Sequence, residues 1–140
     1  MRLEDMPLAR QIDQVFRHLE PELTDAVAGT VTIQIRNNMV GKYGVRHHPI
    51  EAVNGRFAQR ERGMTAQQVS EFRRMAVESL RLKRNWTHGE ILFDFAVRRN
   101  QEWTASVQYE SNYNTSTWVY RHPQRTSESS NRLVQGIGGK

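Results

Sequence analysis

The sequence predicts an α+β fold, a two-layer sandwich with two helices on one face of an antiparallel sheet of four to six strands, in the order α-β-β-α-β-β. Three features of the chain point there. Gly89 to Ser111 holds two runs of alternating apolar and polar residues joined by a polar turn, the pattern of an antiparallel hairpin with one buried face. Residues 65–80 place apolar side chains at helical spacing behind a capping signal, and a helix followed by a hairpin also occurs across residues 7–45.

Taken in order, Leu8, Ile12, Val15, Phe16 and Leu19 fall on one face of a helix of about four turns. Asp5 is placed to cap it, Pro7 suits its first turn and Pro21 stops it, after which Leu23, Ala26 and Val27 add a further helical turn. Gly29 opens a strand in which Val31, Ile33 and Ile35 alternate with polar residues. Arg36-Asn37-Asn38 reads as a turn, because Asn tolerates positive φ. The return strand, Val40 to Val45, carries Gly41 and Gly44, which mark a bulge or a close backbone approach. Pro49 breaks the pairing, and Ile50–Val53 and Arg56–Gln59 flank Asn54-Gly55, the dipeptide favoured for a type I′ turn.

The second long helix starts at Thr65, whose spacing from Gln68 makes a capping box, with Met64 and Val69 spaced as a hydrophobic staple. Val69, Phe72, Met75, Ala76 and Leu80 form its apolar face. It is expected to end near Arg84-Asn85, with Arg81, Lys83 and Arg84 complementing the helix dipole. Ile91, Phe93, Phe95 and Val97 then face the core from one strand, and Trp103, Ala105, Val107 and Tyr109 from the next. Asn112 to Thr115 reads as a turn and Thr117 to Tyr120 as a short last strand. Residues 1–121 therefore form a single domain, and residues 122–140, rich in Ser and Gly, a polar flexible tail. Ile33 to Asn38 and Phe95 to Asn100 occupy equivalent places in the two halves, as an internal duplication would leave them.

The 140 residues carry a net charge of +5 and contain no cysteine. Thiol nucleophiles, thiolate zinc sites and dithiol redox chemistry are excluded. No apolar run reaches the length needed to span a bilayer, and the N-terminus has no apolar signal core, so a cytoplasmic protein with no membrane partner is expected. The basic charge is concentrated in residues 26–100, and 17 of the 20 basic residues are Arg, which suits planar contacts with phosphate or carboxylate.

Two groups of titratable residues invite a chemical reading. His47, His48 and Glu51 contain metal-ligand types, but neighbours on a strand point to opposite faces and no further ligand stands nearby, so no metal site is expected. His88, Glu90 and Asp94 could share a strand face as an acid/base group. No nucleophile, oxyanion loop or phosphate cradle accompanies them, and Gly136 to Gly139 follow no strand. No catalytic residues and no cofactor are expected.

Arginines interleaved with aromatics give the stronger signal: Arg and Lys neutralise phosphates, and an exposed ring stacks on a base. The expected binding residues are Arg36, Lys42, Arg46, Arg73, Arg74, Arg84, Arg98 and Arg99, drawn from the hairpin turns and the second helix. Arg36, Arg98 and Arg99 would share one end of the sheet if the two hairpins ran alike, whereas Tyr43 and Trp103, in phase with apolar residues, belong to the core. The expected function is a non-enzymatic binding protein that engages an acidic partner, nucleic acid first and an acidic protein second. The alternative is a protein-interaction module using the open sheet face, with a homodimer through that face or an edge strand. In outline, two helix-hairpin units with aromatic strands are similar to small bacterial toxin-immunity proteins and secretion chaperones, which implies an adaptor role. The basic middle departs from the acidic character that suits an inhibitor of a basic nuclease toxin.

Overall fold

The structure, a computed structural model, describes residues 6–58 and 62–118. Helix α1 (Leu8–His18) and the short α2 (Glu20–Thr24) precede strands β1 (Ala28–Arg36) and β2 (Met39–His47). A small ribbon, β3 (Ala52–Val53) with β4 (Arg56–Phe57), leads to α3 (Ala66–Ser79), and then come β5 (His88–Val97) and β6 (Trp103–Ser111). The α+β expectation holds: β2-β1-β5-β6 form one antiparallel sheet, while β3 and β4 make a separate two-stranded unit.

The hydrophobic pattern sets the layers. Val31, Ile33 and Ile35 on β1 and Ile91, Phe93 and Phe95 on β5 are buried on one face of the central strands. Ile12, Val15 and Phe16 of α1 and Val69, Phe72 and Ala76 of α3 close over them. Phe72 lies at the centre, with ring centroids 4.9 Å from Phe16, 5.9 Å from Phe93, 5.5 Å from Phe95 and 5.6 Å from Trp103. Edge-on aromatic pairs add about 0.5–1.5 kcal/mol beyond the area they bury.

Polar contacts lock this packing. The Asp13 carboxylate accepts from Arg17 on its own helix at 2.9 Å and from Arg73 on α3 at 3.1 Å, bracing the two long helices. Buried Gln11 accepts from the Val40 amide at 2.7 Å and donates to the Met6 carbonyl at 2.9 Å. The register of β1 against β2 slips between Ile33 and Ile35, so β2 carries a bulge where Gly41 stands, and Gln11 supplies the partner for the amide beside it.

The turns follow their residues. Asn37 and Asn38 both take positive φ, as do Asn54 and Gly55 in the β3–β4 turn. At Thr65 the capping box is complete: its hydroxyl accepts from the Gln68 amide at 3.1 Å, and its amide donates to the Gln68 side chain at 3.0 Å. Gly63 is required where it stands, because a Cβ there would collide with the backbone of Thr24 and Ala26.

Several expectations are corrected. α3 ends at Ser79 and continues as a single 3-10 turn, Leu80–Leu82, which holds Arg81 in its last turn, whereas Lys83 and Arg84 lie beyond it. The Lys83 ammonium instead sits 4.7 Å from the centre of the Trp86 ring. Thr115–Thr117 form a 3-10 turn where a strand was expected to begin. Asp5, Gln59, the remainder of that strand and the tail lie outside the described residues.

The core assignment predicts a sharp contrast between two phenylalanines. Phe72→Ala should cost about 3–5 kcal/mol in urea unfolding, whereas Phe57→Ala on the exposed ribbon should cost less than about 0.5 kcal/mol. Equal losses would contradict the packing described.

Candidate functional site

The sheet separates the residues expected to act together. β1 and β5 are antiparallel neighbours, with Arg36 opposite His88 and Ala28 opposite Ala96. The turn after β1 and the turn after β5 therefore point in opposite directions, and Arg36 lies about 30 Å from Arg98, the length of a ten-residue strand. The two hairpins repeat about a pseudo-two-fold axis, so equivalent turn residues cannot share an end.

The other basic residues divide by role. Arg73 is four-fifths buried and held by Asp13 and by the Ser70 hydroxyl at 3.2 Å, which makes it a brace between helices. Arg74 on α3 and Arg84 after the 3-10 turn are exposed, as is Lys42 in the β2 bulge. Arg46, also exposed, lies opposite Thr30 near the end of the sheet that carries Arg98. Among the described residues, no Phe, Tyr or Trp side chain stands in the open-face rows of the four strands. Tyr43 and Trp103 project to the helix side, the Trp103 indole donating to Glu71 at 2.8 Å, and Trp86 is buried; Tyr43, expected in the core, is 39% exposed because it sits on the edge strand β2.

The open face is polar. Thr30, Thr32, Gln34, Glu90, Asp94, Ser106, Gln108 and Glu110 occupy its rows, and its larger apolar side chains, Leu92 and Met39, are half-buried. Asp94 accepts from the Thr30 hydroxyl at 2.6 Å. His88 stands six residues from Asp94, about 20 Å along the strand. They cannot handle one proton together. His47 reaches Glu22 on α2 at 2.8 Å, and among the described residues no group of three or more His, Asp or Glu could hold a metal ion.

Three arginines of the described residues meet at one concave surface. A depression of about 520 Å³ lies between the segment before α3, the first turn of that helix and the β5–β6 turn, and Arg62, Arg98 and Arg99 line it. Gln68 joins its two walls: besides completing the helix cap, its side-chain amide donates to the Gln101 carbonyl at 2.8 Å. The β5–β6 turn is braced from within, the Arg98 amide donating to the Glu102 carbonyl at 2.7 Å and the Glu102 amide to the Asn100 side chain at 3.1 Å. The approach to α3 is tied down by the Met64 amide donating to the Leu23 carbonyl at 3.2 Å. Three arginines thus line a depression that also takes in the first turn of a helix, the end that favours negative charge.

Sequence reasoning identified Arg98 and Arg99 but passed over Arg62, Gln68 as a bridge, and Gln101. A basic residue three positions before a helix cap was the available signal for Arg62. A second depression, of about 560 Å³, gathers His47, His48 and Glu51 beside Ile50, Val53 and Phe57 of the ribbon segment. Among the described residues its lining includes no Ser, Thr, Cys or Lys.

Gln68→Ala should cost about 1–2 kcal/mol in chemical unfolding, since the capping box and the tie to Gln101 are lost together. Hydrogen exchange should quicken at the Thr65 amide, which donates to Gln68. Unchanged exchange there would contradict the bridge.

No protein-family model, curated protein or solved structure matches the chain.

Proposed function

We propose that this protein is a non-enzymatic binding protein whose ligand is a polyanion, nucleic acid first, held at the depression between α3 and the β5–β6 turn. The observation that carries this reading is the convergence of Arg62, Arg98 and Arg99 on one concave surface at the positive end of a helix. Arg46, on the far edge strand but near the same end of the sheet, adds to the positive field there. Phosphate is favoured as the contacted group because guanidinium offers paired donors to two of its oxygens, and a helix N-terminus favours negative charge. Sequence-tolerant contact with a backbone fits better than base reading, since the aromatic side chains near this depression are committed to the core. Arg36 at the far end of the sheet, and Lys42, Arg74 and Arg84 elsewhere, would contribute only to the general field around the molecule. A single domain working in the cytoplasm, where nucleic acid is at hand, belongs to the same proposal. Among the described residues no helix is long and apolar enough to cross a membrane.

One observation favours an acidic protein partner as the second reading. Ile50, Val53 and Phe57 are 49%, 65% and 67% exposed and stand together with Arg56 around the second depression. An apolar cluster edged by a cation fits a protein surface better than a phosphate chain.

The double charge reversal Arg98→Glu with Arg99→Glu separates these readings. Oligonucleotide affinity should fall at least about tenfold, and the slope of log affinity against log salt should flatten by about two. The melting temperature should change little, because turn residues outside the core are replaced. Arg36→Glu should leave the affinity within about twofold. Equal losses from both ends would disprove a localised site and leave only a diffuse basic surface.

A further inference from the structure

We infer that the free edge of β6 is a homodimer interface, at which two copies join their four-stranded sheets into one continuous eight-stranded sheet. Among the described residues β6 pairs with β5 alone. Its direction of pairing is fixed by the bonds at the ends of the hairpin. The Asn112 amide donates to the His88 carbonyl, and the Arg98 amide to the Glu102 carbonyl, so even-numbered residues of β6 bond inward to β5. Trp103, Ala105, Val107, Tyr109 and Ser111 consequently turn their amide and carbonyl groups outward, away from the sheet.

Among the described residues this edge lacks the devices that keep strands apart. Nine residues run against β5 without a register shift, and none is Pro, Lys or Arg. The opposite edge, β2, is interrupted by its bulge and carries Lys42 and Arg46. β6 also leaves a row of half-buried side chains, Trp103, Ala105, Val107 and Tyr109, packed against the core on one side only. A strand laid alongside would complete that row and pair the outward backbone groups together.

A second copy of β6 fits the edge in one antiparallel register. With Val107 opposite its own counterpart, Ala105 meets Tyr109 and Trp103 meets Ser111, so all five outward residues of each copy find outward partners. A shift of two residues in either direction leaves one of them unpaired in each copy. Glu110, the one charged residue of the strand, then faces Thr104 rather than another carboxylate. The shift that centres the axis on Ser106 would set Glu102 against Glu110. The edge is thus self-complementary in both hydrogen bonding and charge, as a two-fold interface must be. This inference stands apart from the polyanion site.

The test uses the full chain and a single cysteine, unambiguous because the protein has none of its own. In a hydrogen-bonded antiparallel pair the two Cα atoms lie about 5.5 Å apart, within disulfide range. Val107→Cys should therefore cross-link to its copy under mild oxidation with diamide, at least about tenfold faster than Thr104→Cys, whose two copies would be about 20 Å apart. Sedimentation velocity of the unaltered chain should show a dimer in the micromolar range. A monomer at all accessible concentrations would overturn the inference, including the case in which the chain's own residues 119–140 cover the edge. So would a dimer in which the two cysteine variants cross-link at equal rates.

Discussion

β1 and β5 pair antiparallel through nine consecutive residue positions, from Ala28 opposite Ala96 to Arg36 opposite His88, and this contact governs where the charged turns go. Each strand begins its own hairpin, so the two hairpins spread to opposite sides of the sheet and their turns leave from opposite ends. The same pairing brings Val31 and Ile33 beside Phe93 and Ile91, forming the central strip on which both long helices rest. Fold and charge distribution therefore share one cause. A sheet with the hairpins side by side in the same sense would have gathered Arg36 with Arg98, and this one separates them.

The packing of α3 on that strip fixes the site. Phe72 is inserted among four aromatic rings, which sets the position of the helix along the sheet, and Asp13 with Arg73 sets its position against α1. The N-terminus of α3 is thereby brought against the β5–β6 turn, where Gln68 closes the remaining gap. Arg62, Arg98 and Arg99 are carried there by segments tied to the frame through the Met64 amide on the Leu23 carbonyl and the Arg98 amide on the Glu102 carbonyl. These ties reduce the ordering of the backbone that a ligand at this end would have to impose.

Much of the fold was legible because its signals are local. Period-two alternation in Phe93 to Val97 and Trp103 to Tyr109, helical spacing from Val69 to Ala76, and the Thr65–Gln68 box each report on a single element. The Asn54-Gly55 turn was equally direct. What the sequence did not show was set by tertiary contact. The last turn of the helix was read as α because Leu80 to Arg84 are good helix formers, whereas the chain tightens into a 3-10 turn at Leu80 and leaves the helix after Leu82. The candidate site was half legible: Arg98 and Arg99 stood out as adjacent turn cations, but Arg62 joins them only through the docking of the segment around Gly63 against Thr24 and Ala26. Arg73 carried the same sequence signal as its neighbours and proved to be a brace, since its partner Asp13 is sixty positions away in the chain.

The most direct test of the account is a fluorescence-anisotropy titration of the unaltered protein against labelled single-stranded and double-stranded oligonucleotides between about 50 and 200 mM salt. Three guanidinium groups on phosphates predict binding that survives at the upper salt concentration and a log–log slope of about −2 to −3. Absence of binding at the upper concentration would contradict the proposed polyanion site, and the apolar ribbon around Phe57 would then become the surface to test against a protein partner.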